Sequence, residues 1–394
     1  MTRRVIEDWR PTRLSDLVSL QRGHDLTWRQ RRPGAIPVIG SAGVNGMHDR
    51  AIAPGPGVVL GRSGASFGKA HYIDRDYWPH NTALYVTDFH GNEPRFVYYL
   101  LDSIDFTRHN SGGAQQSLNR NFIASITLNI PEREEQQRIV AALDGASDQA
   151  AAIETLIAKK RAIKQGMLQQ LLTGRTRLPG FTDPWREVLL GNHVSYLKTV
   201  ALSRAQLDVE SPVRYLHYGD IHTRSSVTLD AAHEAMPRAS STLLRNAGRL
   251  QVGDLVFADA SEDPDGVGKS VEVTSIPDAG VVPGLHTIAA RFDKAVLADG
   301  FKAYLQFIPS FRNALLRLAA GTKVLATTRS FISSITLTLP DIDEQRVIAS
   351  AIADADREIS ILLVRLAKAR DVKKGMMQQL LTGRIRLPAK EGAA

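Results

Sequence analysis

The stretch from Arg161 to Pro179, RAIKQGMLQQLLTGRTRLP, constrains this chain more than any other because it occurs twice. It returns as Arg370 to Pro388, RDVKKGMMQQLLTGRIRLP, with 14 of 19 positions identical. Similarity at that level means that one chain carries two copies of one unit. Upstream the copies stay aligned without a gap: Phe122 pairs with Phe331, Pro131 with Pro340 and Gly166 with Gly375, each 209 residues apart. The openings WRPTRLSDLVSL (9–20) and WREVLLGNHVSYL (185–197) also match, through Trp9 and Trp185. An offset of 209 at the ends against 176 at the openings leaves 33 extra residues inside the second copy. Two similar ends and two different middles result.

Each copy reads as a globular segment followed by a long helix. From Asp8 to about Pro131, short β-type runs at 35–40, 57–61, 83–86 and 125–130 alternate with turns rich in Gly, Pro, Asn and Asp, and a helix pattern covers 94–104. From Trp185 to about Pro340 the strand patterns fall at 254–258, 271–276, 287–292 and 334–339, with a helix pattern over 301–319 interrupted near Pro309. Between and after them, Glu132–Thr173 and Asp341–Thr382 carry helical stripes. The first stripe is Ile139, Ala142, Leu143, Ala146, Ile153, Leu156, Ile157, Ile163, Met167 and Leu171. The second is Ile348, Ala351, Ile352, Ala355, Ile359, Leu362, Leu366, Val372, Met376 and Leu380. Acidic residues follow Pro131 and Pro340, as a helix N-terminus favours, and Gly174 and Gly383 supply stops. A helix of about 40 residues spans about 60 Å and must pack on something. The two helices either pair antiparallel or each lies on its own globular segment. Gly166 and Gly375, inside the helix patterns, suggest a close helix–helix approach or a local break.

With 394 residues, the chain is long enough for two or three domains. Its net charge of +8 favours a polyanionic partner, nucleic acid first. The absence of cysteine removes disulfides, thiolate metal sites and cysteine nucleophiles and fits a reducing compartment. MTRRVIEDWR lacks the apolar centre of a signal peptide, and no apolar run has the length of a membrane span, so the expected location is cytoplasmic. Catalytic motifs fail on inspection. GRSGASFGK (61–69) and DPDGVGKS (263–270) miss the phosphate loop, with Ser63 and Asp263 at the leading glycine position. GRSGA (61–65) ends in Ala65 and misses G-x-S-x-G. The 11 histidines show no metal spacing. No cofactor-type glycine turn is present.

Two unlike heads, two similar helices and a repeated GMxQQLLTGRxRLP signature resemble the specificity subunit of a Type I restriction–modification system. The first head adds IPVIGSAGVNGMHD (36–49), VVLGRSGASFGKAHYID (58–74), WPHNTALYV (78–86) and SLNRNF (117–122), then EEQQRIV (134–140). The resemblance implies an α+β fold with a pseudo-twofold internal repeat: two globular target recognition domains separated by a pair of long antiparallel helices forming a coiled coil. Expected boundaries are 1–131 and 177–340 for the recognition domains, the latter with a linker at 177–184. The spacer helices are expected at 132–176 and 341–385, and a tail at 386–394. It further implies a non-catalytic chain that recognises an asymmetric bipartite double-stranded DNA target. The implied partners are two methyltransferase subunits and, through them, restriction motor-nuclease subunits. S-adenosylmethionine, ATP and Mg would belong to those partners, with no metal and no cofactor in this chain. A coiled-coil scaffold and a self-contained methyltransferase or nuclease are the alternative readings.

Side chains suited to phosphate or base edges mark the expected DNA contacts. In the first head they are Arg29, Arg31, Arg32, Ser41, Asn45, His48, Arg62, Ser63, Lys69, Asn81, Gln115, Gln116, Asn119 and Arg120. In the second they are His217, Tyr218, Asp220, His222, Thr223, Arg224, Lys269, Lys323, Thr327, Thr328 and Arg329. The polar ends of the signature, Gln169, Gln170, Thr173, Arg175, Gln378, Gln379, Thr382 and Arg384, serve helix capping or partner docking.

Overall fold

Each globular segment closes on itself through a ribbon between its first and last strands. In the first, Arg10–Arg13 pairs antiparallel with Thr127–Ile130; in the second, Arg186–Leu189 pairs with Thr336–Leu339. The structure is a computed structural model and describes residues 9–110, 116–318 and 325–388. The chain divides into two units, residues 1–155 with 363–394, and residues 156–362.

The first unit holds a four-stranded antiparallel sheet ordered Ser19–Arg22, Ala83–Asp88, Gly57–Gly61, Ala70–Ile73. A three-stranded sheet follows, ordered Gly43–His48, Ile36–Gly40, Trp78–Pro79. Helix Pro94–Ser103 buries Phe96, Val97, Tyr99, Leu100 and Leu101 in a core shared with Val58, Leu60 and Leu84. Ile139 and Leu143 of the first long helix and Leu380 and Leu381 at the end of the second enter that core. The second unit holds a five-stranded sheet ordered Val194–Tyr196, Thr287–Phe292, Leu255–Ala258, Ser270–Ser275, Thr228–Asp230. Its last pair is parallel. The helical stretch breaks at Pro309 as expected: a 3-10 turn over Lys302–Phe307 precedes helix Pro309–Leu318. Proline at a first helical position costs no hydrogen bond.

The long helices are Arg133–Leu171 and Ile342–Leu380, 39 residues each. At 1.5 Å per residue that is about 58 Å of helix. Both end at a left-handed glycine, Gly174 at φ 68° and Gly383 at φ 66°. They pair antiparallel within each unit. Lys160 reaches Glu358 at 2.5 Å and Lys164 reaches Asp356, so numbering rises on one helix as it falls on the other. In the first unit Arg370 meets Glu154 at 2.6 Å. Ile157, Ile352, Ile359 and Leu366 are buried, as the stripes predict, but Leu156 and Ile163 remain 40% and 48% exposed. A helix with one helical neighbour buries only a narrow seam, and the predicted stripe is wider than that.

Gly166 and Gly375 fulfil neither expectation. Both lie in unbroken helix, and a Cβ at either would meet no described atom within 4 Å. Helical glycine in open space costs about 1 kcal/mol relative to alanine. Gly166→Ala and Gly375→Ala should therefore each raise thermal stability by about 0.5–1 kcal/mol. Thermal or urea unfolding checks this, and a loss of stability at either position would contradict the open setting.

Candidate nucleic-acid interface

In the first head a serine hydroxyl knits three loops together. Ser41, at the tip between strands Ile36–Gly40 and Gly43–His48, accepts from the backbone N–H of Arg62 at 3.1 Å and of Ser63 at 3.3 Å. It donates to the Thr82 carbonyl. The Arg62 carbonyl accepts from Leu118 N at 2.8 Å, and Ser63 bridges Ser117, which places Gln116 beside the same edge. Asn81 donates to Asp25, while Arg62 Nη1 lies 3.4 Å from the Asn81 carbonyl. Gly61 is required here, since a Cβ would lie 2.9 Å from the Ser41 carbonyl and closer still to that of Ser66. The structure thus brings Ser41, Arg62, Ser63, Asn81 and Gln116 to one edge. Lys69, exposed, ends the same loop.

The remaining first-head positions fall into two groups. Arg31 donates to the Asn45 side chain at 2.8 Å, Arg32 pairs with Asp49 at 2.7 Å, and buried His48 accepts from Arg32 N at 3.1 Å. These form one braced loop, with Arg29 exposed at its apex. Asn119 caps helix Arg120–Ile123 by accepting from Asn121 N at 3.0 Å, and Arg120 reaches back to the Leu20 carbonyl at 3.2 Å. Gln115 lies outside the described residues, as does Lys323 of the second head. Burial, with Arg31 adding to it, holds His80 below the ordinary imidazole value.

The second head builds the equivalent loop with opposite charge. In the first head, Gly61 N donates to the Lys69 carbonyl at 2.7 Å; in the second, Ala258 N donates to that of Lys269 at 2.9 Å. The residue after each donor receives the same partner strand: Leu118 N meets the Arg62 carbonyl, and Thr327 N meets the Asp259 carbonyl at 2.6 Å. Arg62 in one head therefore corresponds to Asp259 in the other. The Asp259 carboxylate lies 3.2 Å from Nδ1 of His286, a residue at φ 55°. His286 packs edge-on against Tyr218 at 5.4 Å. With His222, Ala260, Ser261, Glu262 and Asp263 they line a pocket of about 520 Å³.

Most of the HYGDIHTR stretch is spent in folding. It forms helix Tyr218–His222, with buried His217 accepting from Gly219 N at 3.1 Å and Asp220 accepting from His217 N at 3.0 Å. Burial lowers the His217 pKa. Thr223 donates to the Gly219 carbonyl at 2.9 Å, His222 Nε2 lies 2.9 Å from the Ala260 carbonyl, and Arg224 pairs with Glu234. Lys269 is held below its ordinary value by burial and donates to the His222 carbonyl at 2.5 Å. Thr327 is buried, and Thr328 caps helix Arg329–Ser333. Arg329 donates to the Leu197 carbonyl at 2.9 Å above the Tyr196 ring. Tyr218 packs against His286 and His286 pairs with Asp259, contacts that no local sequence motif marks.

The signature ends are polar and mostly exposed. Thr173 donates to the Gln169 carbonyl at 2.5 Å and Thr382 to that of Gln378 at 2.6 Å, so both threonines cap. Gln169, Gln170, Arg175, Gln378 and Arg384 are exposed, and Gln379 is half-buried. The arginine two positions beyond Arg175 and Arg384 does something sequence reading missed. Arg177 clasps Glu344 through Nη2 at 2.7 Å, and Trp185 Nε1 donates to the same carboxylate at 3.1 Å. Arg386 clasps Glu135 at 2.7 Å, with Trp9 Nε1 donating at 3.2 Å. Both carboxylates are buried. The adjacent glutamines repeat the pattern: Gln136 donates to the Pro131 carbonyl and Gln345 to the Pro340 carbonyl, each at 3.0 Å. The signal was present in the 209-residue offset, which relates Arg177 to Arg386 and Glu135 to Glu344.

Among the described residues no group of His, Asp and Glu is arranged to hold a metal ion, and no helix is long and apolar enough to cross a membrane. Residues 6–165 match the family model of the Type I restriction modification DNA specificity domain. A putative type I restriction enzyme MjaX specificity subunit from Methanocaldococcus jannaschii is 22% identical over 319 residues, 75% of this chain and 69% of the relative. A Type-I restriction-modification system S subunit from M. genitalium superposes with a TM-score of 0.60 at 12% identity, covering 96% of this chain and 98% of the other. A chain from a structure of complex assembly and conformational transition of the type I R-M system gives a TM-score of 0.58 at 14% identity, covering 96% and 98%. The resemblance read from the repeated signature is borne out, as is the fold of two α+β heads with long helices.

Proposed function

From the match of residues 6–165 to the Type I restriction modification DNA specificity domain, we propose that this chain recognises a bipartite, asymmetric DNA target on behalf of partner methyltransferase subunits. The observation that carries this reading is the pair of equivalent loops, basic at Arg62 in one head and acidic at Asp259 in the other. Arginine suits guanine edges and phosphate, whereas an acceptor such as a carboxylate suits the amino group of cytosine. Two heads so different read two different half-sites. In the first head Arg29, Arg31, Arg32, Arg62, Lys69 and Gln116 make the contacts, with Ser41, Asn45 and His48 holding their loops. In the second, Tyr218, His222 and His286 face the bases.

The long helices act as the spacer, and the exposed glutamines and arginines at their ends dock methyltransferase subunits. Methyl transfer, with S-adenosylmethionine, then belongs to those partners, and ATP-dependent cleavage with Mg belongs to a restriction subunit beyond them, in the cytoplasm. Phosphate contacts release counterions, so the affinity of the assembled complex for duplex DNA should fall steeply and log-linearly with salt. Titration of a labelled duplex between low and physiological salt measures this. A flat response, or no binding with partners present, would favour a protein scaffold instead.

A further inference from the structure

Trp28 is 76% exposed, more than any other tryptophan, tyrosine or phenylalanine among the described residues. Leaving an indole in water forgoes the burial that usually stabilises large apolar groups. The loop that carries it is not loose. On the entry side, His24 N donates to the Pro79 carbonyl at 2.8 Å, Asp25 accepts from Asn81, and Leu26 is buried. At the apex, Thr27 N donates to Gln30 Oε1 at 3.0 Å, and Gln30 N returns to the Thr27 carbonyl at 3.0 Å, closing a 3-10 turn over Trp28–Gln30. On the exit side, Arg31 is tied to Asn45 and Arg32 to Asp49. The Arg29 guanidinium sits 5.4 Å from the Trp28 ring centroid. The turn is thus braced at both ends and presents an exposed π-face flanked by cations.

That combination of a fixed loop, a solvent-facing indole and adjacent guanidinium groups matches a nucleobase next to its phosphates. Base–aromatic stacking contributes substantially and tolerates any base, because every base has a π-face. In duplex DNA the faces are covered, so stacking requires one base step to open, as apolar wedges do elsewhere. We propose that Trp28 is a positioning residue of the first head, a wedge that stacks on a base at an opened step of its half-site while Arg29 and Arg32 hold the flanking phosphates. This rests on the DNA-recognition reading above and adds a deformation of the target to it.

The test uses the full chain assembled with its methyltransferase partners and a duplex in which 2-aminopurine replaces successive bases of the first half-site. Wild-type complex should raise the fluorescence at one step, reporting unstacking. Trp28→Ala should abolish that rise and weaken specific binding about 10–100-fold. Trp28→Phe, which keeps a ring, should retain most of both, and an unchanged unfolding transition shows that the loop variant is folded. Trp28→Ala with wild-type affinity, or with an unchanged fluorescence rise, overturns the wedge but leaves DNA recognition standing. A wild-type complex that binds no duplex overturns the functional reading and the wedge with it.

Discussion

Replacing Arg386 by alanine should destabilise the first unit by about 3 kcal/mol, because it leaves the buried Glu135 carboxylate without its guanidinium partner. The cost arises at Glu135, whose side chain is only 5% exposed and which, among the described residues, would keep one side-chain donor, the Trp9 indole at 3.2 Å. Arg386 itself is partly exposed and could find water, so the stranded carboxylate dominates the effect. Adding Glu135→Gln to the arginine variant removes the stranded charge and should recover part of the loss. Urea unfolding of the three variants measures this; a loss below about 1 kcal/mol would mean that the clasp is ornamental, as surface pairs often are. Arg177→Ala strands Glu344 in the same way and should weaken the second unit. The repeat thus has a structural purpose: each copy of the signature ends in the arginine that closes a unit, joining a head's opening tryptophan to the start of a long helix.

Much of this architecture could be read from the residues. The strands at Ile36–Gly40, Gly57–Gly61 and Thr287–Phe292, the helix at Pro94–Ser103 and both 39-residue helices sit where periodicity and turn residues put them. These patterns are local, so sequence spacing reports them. The Trp9–Glu135 contact spans 126 residues and leaves no local pattern, and the Arg177–Glu344 and Arg386–Glu135 pairs span 167 and 251. At the candidate interface the same limit applies in reverse. Ser41, His217 and Thr328 have the chemistry of DNA contacts, but their side chains accept from nearby backbone N–H groups, a competing use that short polar residues favour. His286 meets Asp259 and Tyr218 only after the sheet has formed, and nothing around them in the sequence announces it.

The second large effect concerns the helices. If their length sets the gap between half-sites, one heptad inserted into each at matching positions adds about 10 Å of helix and about three base pairs of spacer. Methylation at every original site should then be lost and reappear at sites with unchanged half-sites and a longer gap. A heptad preserves the apolar seam, so pairing of the helices survives the insertion. Unchanged sites in the lengthened chain would separate the helices from spacing.

The central claim is that two unlike heads read two unlike half-sites. Mapping the methylated motifs in a genome that expresses this chain with its methyltransferase partners tests it most directly. An asymmetric motif, with two different specified segments flanking a gap of unspecified bases, is the predicted result. A contiguous palindromic motif would contradict it.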